Sequence, residues 1–122
     1  MPKILLIDDD EVQLRLQQSI LAGQGYAIYS TADGPQGILL YNTHHPDLVL
    51  LDIGLPTISG IEVLKQIRQI DPKAKIIVIT GYASVESAVL AIREGAWDYV
   101  RKPYDVNALL KKIESALSVV SN

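Results

Sequence analysis

Three short stretches of this chain are wholly apolar, and each runs straight into a polar residue. Ile4-Leu-Leu-Ile7 meets Asp8, Leu48-Val-Leu-Leu51 meets Asp52, and Ile76-Ile-Val-Ile79 meets Thr80. A continuous aliphatic run has no polar face to offer water. Such a segment reads as a strand buried on both sides, as in a parallel sheet covered by helices. A charge cannot sit inside a strand of this kind, so Asp52 belongs at its carboxyl end, where the chain leaves the core. Gly54 and Pro56 then turn the chain, and Gly60 follows. In open α/β sheets this is the edge at which ligands bind. One acid there could equally be a turn or helix cap. The case depends on what other strands bring to the same edge.

The segments between the runs read as helices. Glu11 to about Ala22 has Val12, Leu16 and Ile20 at i, i+4 spacing and is closed by Gly23 and Gly25. Tyr26–Ser30 reads as a second strand. Asp33-Gly-Pro35 opens a helix that runs to about His44, where His45-Pro46 stops it. Ile61, Leu64, Ile67 and Ile70 form a helical stripe, and Val85, Ala88, Val89 and Ile92 form another that ends at Gly95. Trp97–Val100 is a short strand followed at once by Arg101-Lys102-Pro103. Val106, Leu109, Leu110, Ile113 and Leu117 give the cleanest amphipathic helix. A β-α alternation repeated five times calls for a mostly parallel sheet with helices on both faces and right-handed crossovers.

Composition narrows the function. The 122 residues suit one domain with a proper core. A net charge of −3 argues against direct, nonspecific nucleic-acid binding. With no cysteine there is no disulfide, thiol nucleophile or thiolate-bound metal. No signal peptide and no apolar stretch of about 18 residues is present, so no membrane association is expected. A cytoplasmic protein fits these features.

On this topology Asp8 and Asp9, Asp52, Thr80 and Lys102 all leave the sheet at one edge. Converging carboxylates repel one another and raise at least one pKa unless a cation intervenes. Oxygen donors without imidazole or thiolate select a hard divalent ion, Mg²⁺ foremost. Acids, a lysine and a hydroxyl around such an ion suit phosphoryl chemistry, and an Asp carboxylate can itself be the nucleophile. Asp52 is the natural acceptor, being a lone acid at its strand end, while Gly54 and Gly81 leave the approach open. The plainer reading is that Asp8-Asp9-Asp10 caps the first helix.

Asp8-Asp9, Asp52, Thr80-Gly81 and Lys102-Pro103, in this order at these strand ends, resemble the receiver domain of two-component response regulators. The resemblance spans essentially residues 1–122 as one receiver domain. It implies a (βα)5 doubly wound fold with strand order 2-1-3-4-5, similar to the single-domain chemotaxis regulator and to flavodoxin. It further implies that Asp52 accepts a phosphoryl group from the phosphohistidine of a sensor histidine kinase or phosphotransfer domain. Asp9, Asp52 and the Gly54 carbonyl would bind Mg²⁺ directly, and Asp8 through a water. Lys102 would contact the phosphoryl group, with a cis bond to Pro103. Thr80 and Tyr99 would form the switch, remodelling the fourth helix, fifth strand and fifth helix for a homodimer or partner. Gly54 and Tyr82 would occupy positions that tune hydrolysis, and neither holds water strongly, so no fast autodephosphorylation is expected. The loop 56–60 lacks the acid often found before its glycine.

On this reading the chain is a switch that catalyses only its own phosphotransfer and slow dephosphorylation, not an enzyme with an external substrate. A haloacid-dehalogenase-like phosphatase would need an acid at position 54, and a docking-only receiver would fail to bind Mg²⁺. The run from Ala88 to Asp105 resembles receivers of activators and hybrid kinases, and the end at Ser121-Asn122 suits a piece of a longer protein with a C-terminal output domain. Asp10 reads as a helix cap, His44-His45 as a solvated helix end, and Trp97 as packing.

Overall fold

The apolar runs do become strands, and their complete burial organises everything around them. The structure is a computed structural model that describes residues 1–55, 58–81 and 83–118. Pro56 and Tyr82, and the terminal Ser121-Asn122, lie outside the described residues. In chain order the elements are β1 (Lys3–Ile7), α1 (Glu11–Gly23), β2 (Ala27–Thr31), α2 (Gly34–His44) and β3 (Leu48–Leu51). They continue with α3 (Gly60–Ile70), β4 (Ile76–Thr80), α4 (Val85–Arg93), β5 (Asp98–Arg101) and α5 (Val106–Ser118).

All four strand pairings are parallel, and the order is β2-β1-β3-β4-β5. This is the doubly wound arrangement expected from the alternation and the resemblance. Side chains alternate across the sheet, and the two faces are sealed separately. Leu5, Ile7, Val49, Leu51, Ile76 and Val78 pack with residues of α2, α3 and α4. Ile4, Leu6, Leu48, Leu50, Ile77 and Ile79 pack under α1 and α5. Each fully buried aliphatic side chain contributes about 1.5–3 kcal/mol, so the central strands β1, β3 and β4 form a rigid floor for what projects beyond their ends.

Helix ends follow local chemistry. Asp10, Asp33, Ser59 and Ser84 accept backbone N–H bonds as N-caps. Gly25 and Gly95 take positive φ just past α1 and α4. Gly60 is the glycine that packing requires. A Cβ there would lie 2.2 Å from the Ile53 Cα and 2.6 Å from the Asp52 carbonyl oxygen, so only glycine lets α3 start hard against the end of β3.

Two expected helix stripes point the wrong way. In α1 the buried residues are Leu14, Gln17 and Leu21, whereas Val12 is 72% exposed and Leu16 also faces solvent. The periodicity missed this phase because a glutamine occupies the inward position. The Gln17 amide reaches the Tyr104 hydroxyl at 3.4 Å, so its burial leaves no amide unpaired. In α4 only Ala91 is buried, and Val85 is 81% exposed with Val89 and Ile92 exposed beside it. The α3 stripe is shifted too, with Val63 buried and Ile70 exposed. The strands β2 and β5 each begin one residue later than the patterns suggest.

Candidate functional site

Parallel strands deliver their carboxyl ends to one edge, and the polar residues that close the apolar runs meet there. The backbone fixes them first. The Asp8 N–H donates to the Thr31 carbonyl at 3.2 Å and the Asp52 N–H to the Ile7 carbonyl at 2.9 Å, extending the ladder one residue beyond the strands. Likewise the Lys102 N–H donates to the Thr80 carbonyl at 2.9 Å. The Lys102-Pro103 peptide bond is cis.

The side chains then converge. The Lys102 ammonium donates to Asp8 at 2.8 Å and to Asp52 at 2.9 Å, bridging two acids that are 3% and 5% exposed. Asp9 stands beside them on the open side. One carboxylate oxygen from each of Asp8, Asp9 and Asp52 lies within 4.8 Å of the other two. The second oxygens are not idle. Asp8 Oδ1 accepts the Asp10 N–H at 2.9 Å, and Asp52 Oδ1 accepts the Gly54 N–H at 2.9 Å. The turn role considered for Asp52 therefore coexists with its place in the cluster. Asp10, by contrast, is the α1 N-cap and accepts from Val12 and Gln13.

Burial pushes the Asp8 carboxyl above its ordinary range, against the opposing effect of Lys102, and the negative charge of Asp52 adds only a lesser push. The expected upward shift is present, but its first cause is lost hydration rather than repulsion. For Lys102, burial favours the neutral amine, yet the hydrogen bonds to Asp8 and Asp52 outweigh it and raise the pKa. One ammonium among three carboxylates leaves an excess of negative charge open to water at Asp9. That donor set, with neither imidazole nor thiolate, fits a hard divalent cation that keeps part of its hydration.

The remaining residues occupy the surroundings. Thr80 is fully buried at the end of β4. A Cβ at Gly81 would meet no heavy atom within 4 Å apart from its chain neighbours, so there is space beside it. Tyr99 is half-buried on β5 against the α2–α4 face, and its hydroxyl lies 2.6 Å from Ser87 Oγ on α4. His44 and His45 sit at the opposite edge. His44 stacks on Tyr29 at 4.2 Å and is half-buried rather than solvated, and His45 is the left-handed C-cap of α2. Trp97 is 40% exposed with the Lys75 ammonium 5.6 Å from its ring, so it is a surface contact rather than core packing. Sequence reasoning passed over Ser87 and Tyr104. For Ser87 a signal existed in the Ser84-x-x-Ser87 spacing, a capping box with serine in place of the usual Glu or Gln.

Known proteins share this fold and sequence pattern. The response regulator receiver domain family matches residues 4–114. The regulatory protein AtoC of Escherichia coli is 38% identical over 119 residues, which is 98% of this chain but 26% of AtoC, so the chain spans about a quarter of that relative's length. A CheY-like receiver domain protein from Methanospirillum hungatei superposes with a TM-score of 0.93 at 35% identity, over 96% of this chain and 94% of that one. The response regulator TrrA from Thermotoga maritima, solved in complex with Mg²⁺ and beryllium fluoride, superposes with a TM-score of 0.88 at 33% identity, over 96% and 100%.

Proposed function

Because the chain belongs to the response regulator receiver family, we propose that it is a phosphoacceptor switch whose acceptor is Asp52. The observation that carries this reading is the shared Lys102 bridge between Asp8 and Asp52, at 2.8 and 2.9 Å, with Asp9 open to solvent beside it. An oxygen of Asp52 attacks the phosphorus of a phosphohistidine on a sensor histidine kinase or phosphotransfer domain. The phosphorus–nitrogen bond breaks with its electron pair on the imidazole, which is protonated as it leaves. The product is an aspartyl phosphate on this chain.

Lys102 holds Asp52 in place beforehand and then turns its ammonium toward a phosphoryl oxygen, keeping Asp8 as its second partner. Asp8, Asp9 and Asp52, with the Gly54 carbonyl, would hold Mg²⁺, which when bound neutralises charge on the phosphoryl oxygens. The TrrA complex supports that choice of ion. Thr80 moves its hydroxyl toward the new phosphoryl group, and Tyr99 follows inward. Gly54 presents no side chain to position a hydrolytic water, so the phosphorylated state is long-lived and the chain turns over no external substrate.

The surface that reads this change is α4-β5-α5. Its exposed Val85, Val89 and Ile92 suit a second copy or a partner. The longer AtoC supports an output domain beyond this receiver, which takes in residues 1–122. No helix among the described residues is long and apolar enough to cross a membrane, which suits a cytoplasmic partner of a sensor kinase.

The test is intact mass after incubation with a small acyl phosphate. One phosphoryl group should add to wild type only when Mg²⁺ is present, and none to Asp52→Asn. No adduct on the wild type, or the same adduct on Asp52→Asn, would overturn the assignment.

A further inference from the structure

Ser87 sits at an unusual hydrogen-bond junction. It is the third residue of α4, and its Oγ accepts the Ser84 N–H at 3.1 Å while its hydroxyl lies 3.1 Å from the Ser84 carbonyl. Ser84 Oγ in turn accepts the Ser87 N–H at 3.0 Å. The same Ser87 oxygen is 2.6 Å from the Tyr99 hydroxyl on β5, the shortest of these contacts. A serine oxygen can donate once and accept twice. The Ser84 N–H, the Ser84 hydroxyl at 3.1 Å, the Ser84 carbonyl and the Tyr99 hydroxyl compete for that capacity, with either Ser87 or Tyr99 donating in their mutual contact. The first turn of α4 and the position of Tyr99 are therefore joined through one atom.

We propose that Ser87 is a latch that holds Tyr99 toward α4 in the unphosphorylated protein and so sets how readily the switch turns over. This rests on the receiver reading above, and it adds a positioning residue outside the phosphorylation site. When Tyr99 turns inward, its hydroxyl must leave Ser87, and the α4 cap loses a neighbour at the same moment. Movement at the phosphoryl group is thereby passed to the amino end of α4 as the breaking of one bond. The latch stabilises only the unphosphorylated arrangement. By linkage, removing it must increase affinity for whatever binds the switched arrangement.

The probe is beryllium fluoride with Mg²⁺, titrated into wild type, Ser87→Ala, Tyr99→Phe and the double variant. Ser87→Ala should bind two- to ten-fold more tightly, on the order of one net hydrogen bond. Ser87→Thr, which keeps the hydroxyl, should return toward the wild-type value. In the Tyr99→Phe background Ser87→Ala should change nothing, because the partner is already gone. Equal gains in both backgrounds would mean that Ser87 acts through the α4 cap alone and would overturn the latch, as would no gain in either.

A ligand-free measurement separates this from the receiver assignment. With 3-fluorotyrosine in place of the six tyrosines, the Tyr99 resonance is identified by its loss in Tyr99→Phe. It should shift in Ser87→Ala and stay near its wild-type position in Ser87→Thr. A shift in a protein that binds no beryllium fluoride would leave the Ser87–Tyr99 contact standing but sink the phosphoacceptor, and with it the role of that contact in the switch. An unshifted resonance alongside tight wild-type binding would do the reverse.

Discussion

The two edges of the sheet are both rich in polar residues, but they use them differently. At the amino-terminal edge the polar groups are dealt out as separate contacts. The Lys3 N–H donates to Asp47 at 2.8 Å, the Tyr41 hydroxyl to Asp71 at 2.9 Å, and the Lys75 ammonium to the Ala116 carbonyl at 2.7 Å. At the carboxyl-terminal edge Lys102 is shared between two buried acids, with a third acid beside them. On the first edge a cavity of about 680 Å³ is lined by Met1, Tyr41, Asp71 and Lys75 among others, apart from the acid cluster. What marks the carboxyl-terminal edge is that its groups share partners, so adding or removing one charge changes the balance for all of them. Where polar groups are divided among small separate contacts, as at the other edge, a perturbation stays local.

The largest effect expected from this contrast is at Lys102. Lys102→Ala leaves Asp8 and Asp52 buried together with no cation between them. Breaking a buried ion pair from one side costs on the order of 3 kcal/mol, to be read by urea denaturation of the metal-free protein at neutral pH. The loss should shrink on acidification, because the fold already favours the neutral form of Asp8 and protonation there relieves the repulsion. It should shrink with Mg²⁺ as well, since acids without a competing ammonium bind the ion more tightly and each tenfold gain in affinity over wild type recovers about 1.4 kcal/mol. A loss insensitive to both would mean that the acids do not act as one cluster.

Next comes the support beneath the cluster. Gly60→Ala drives a Cβ into the backbone of Ile53 and Asp52, and overpacking of this kind costs about 1–3 kcal/mol. The turn that carries Asp52 must move, so phosphorylation by an acyl phosphate should slow together with the fall in thermal midpoint. Gly81→Ala is the control, because nothing apart from its chain neighbours lies within 4 Å of its added carbon. Its stability should stay within about 0.5 kcal/mol of wild type. An equal loss at both glycines would remove the reason for placing the support under Asp52.

How much of this was legible in the residues follows the same division. The central strands were plain because four consecutive aliphatic residues admit little else, and their last residues marked the edge. The strand order needed the family resemblance, since periodicity says nothing about which strands are neighbours. The faces of α1 and α4 were misread for a physical reason. Gln17 is polar yet points inward because Tyr104, far away in sequence, receives its amide. Val85, Val89 and Ile92 are apolar yet point outward, leaving Ala91 to pack. Hydrophobic spacing assumes that apolar means buried, and it fails where a long-range hydrogen bond or an exposed surface decides instead. Ser87 escaped for a related reason. Its spacing to Ser84 is readable, but its contact with Tyr99 exists only once β5 lies beside α4.

The smallest effect belongs to the amino-terminal edge, and its confinement is what matters. Tyr41→Phe removes the hydroxyl that donates to Asp71, while Asp71 keeps the Lys73 N–H at 2.9 Å. A single net hydrogen bond is worth about 1 kcal/mol, so stability at neutral pH should fall by roughly that and phosphorylation should be untouched. Burial, and then the bond to Asp71, push the Tyr41 hydroxyl well above its ordinary range. Above about pH 10 the unfolded chain loses this proton while the folded one keeps it, so stability falls as pH rises. Lys102 has the same sign: its contribution is complete below the ordinary lysine value and is lost above it. Wild type should therefore weaken steadily in alkali. Tyr41→Phe should flatten the tyrosine part of that decline and leave the lysine part. If it instead altered the phosphorylation rate, the two edges would be coupled through the sheet, and polar groups paired at one edge could no longer be treated as independent of those clustered at the other.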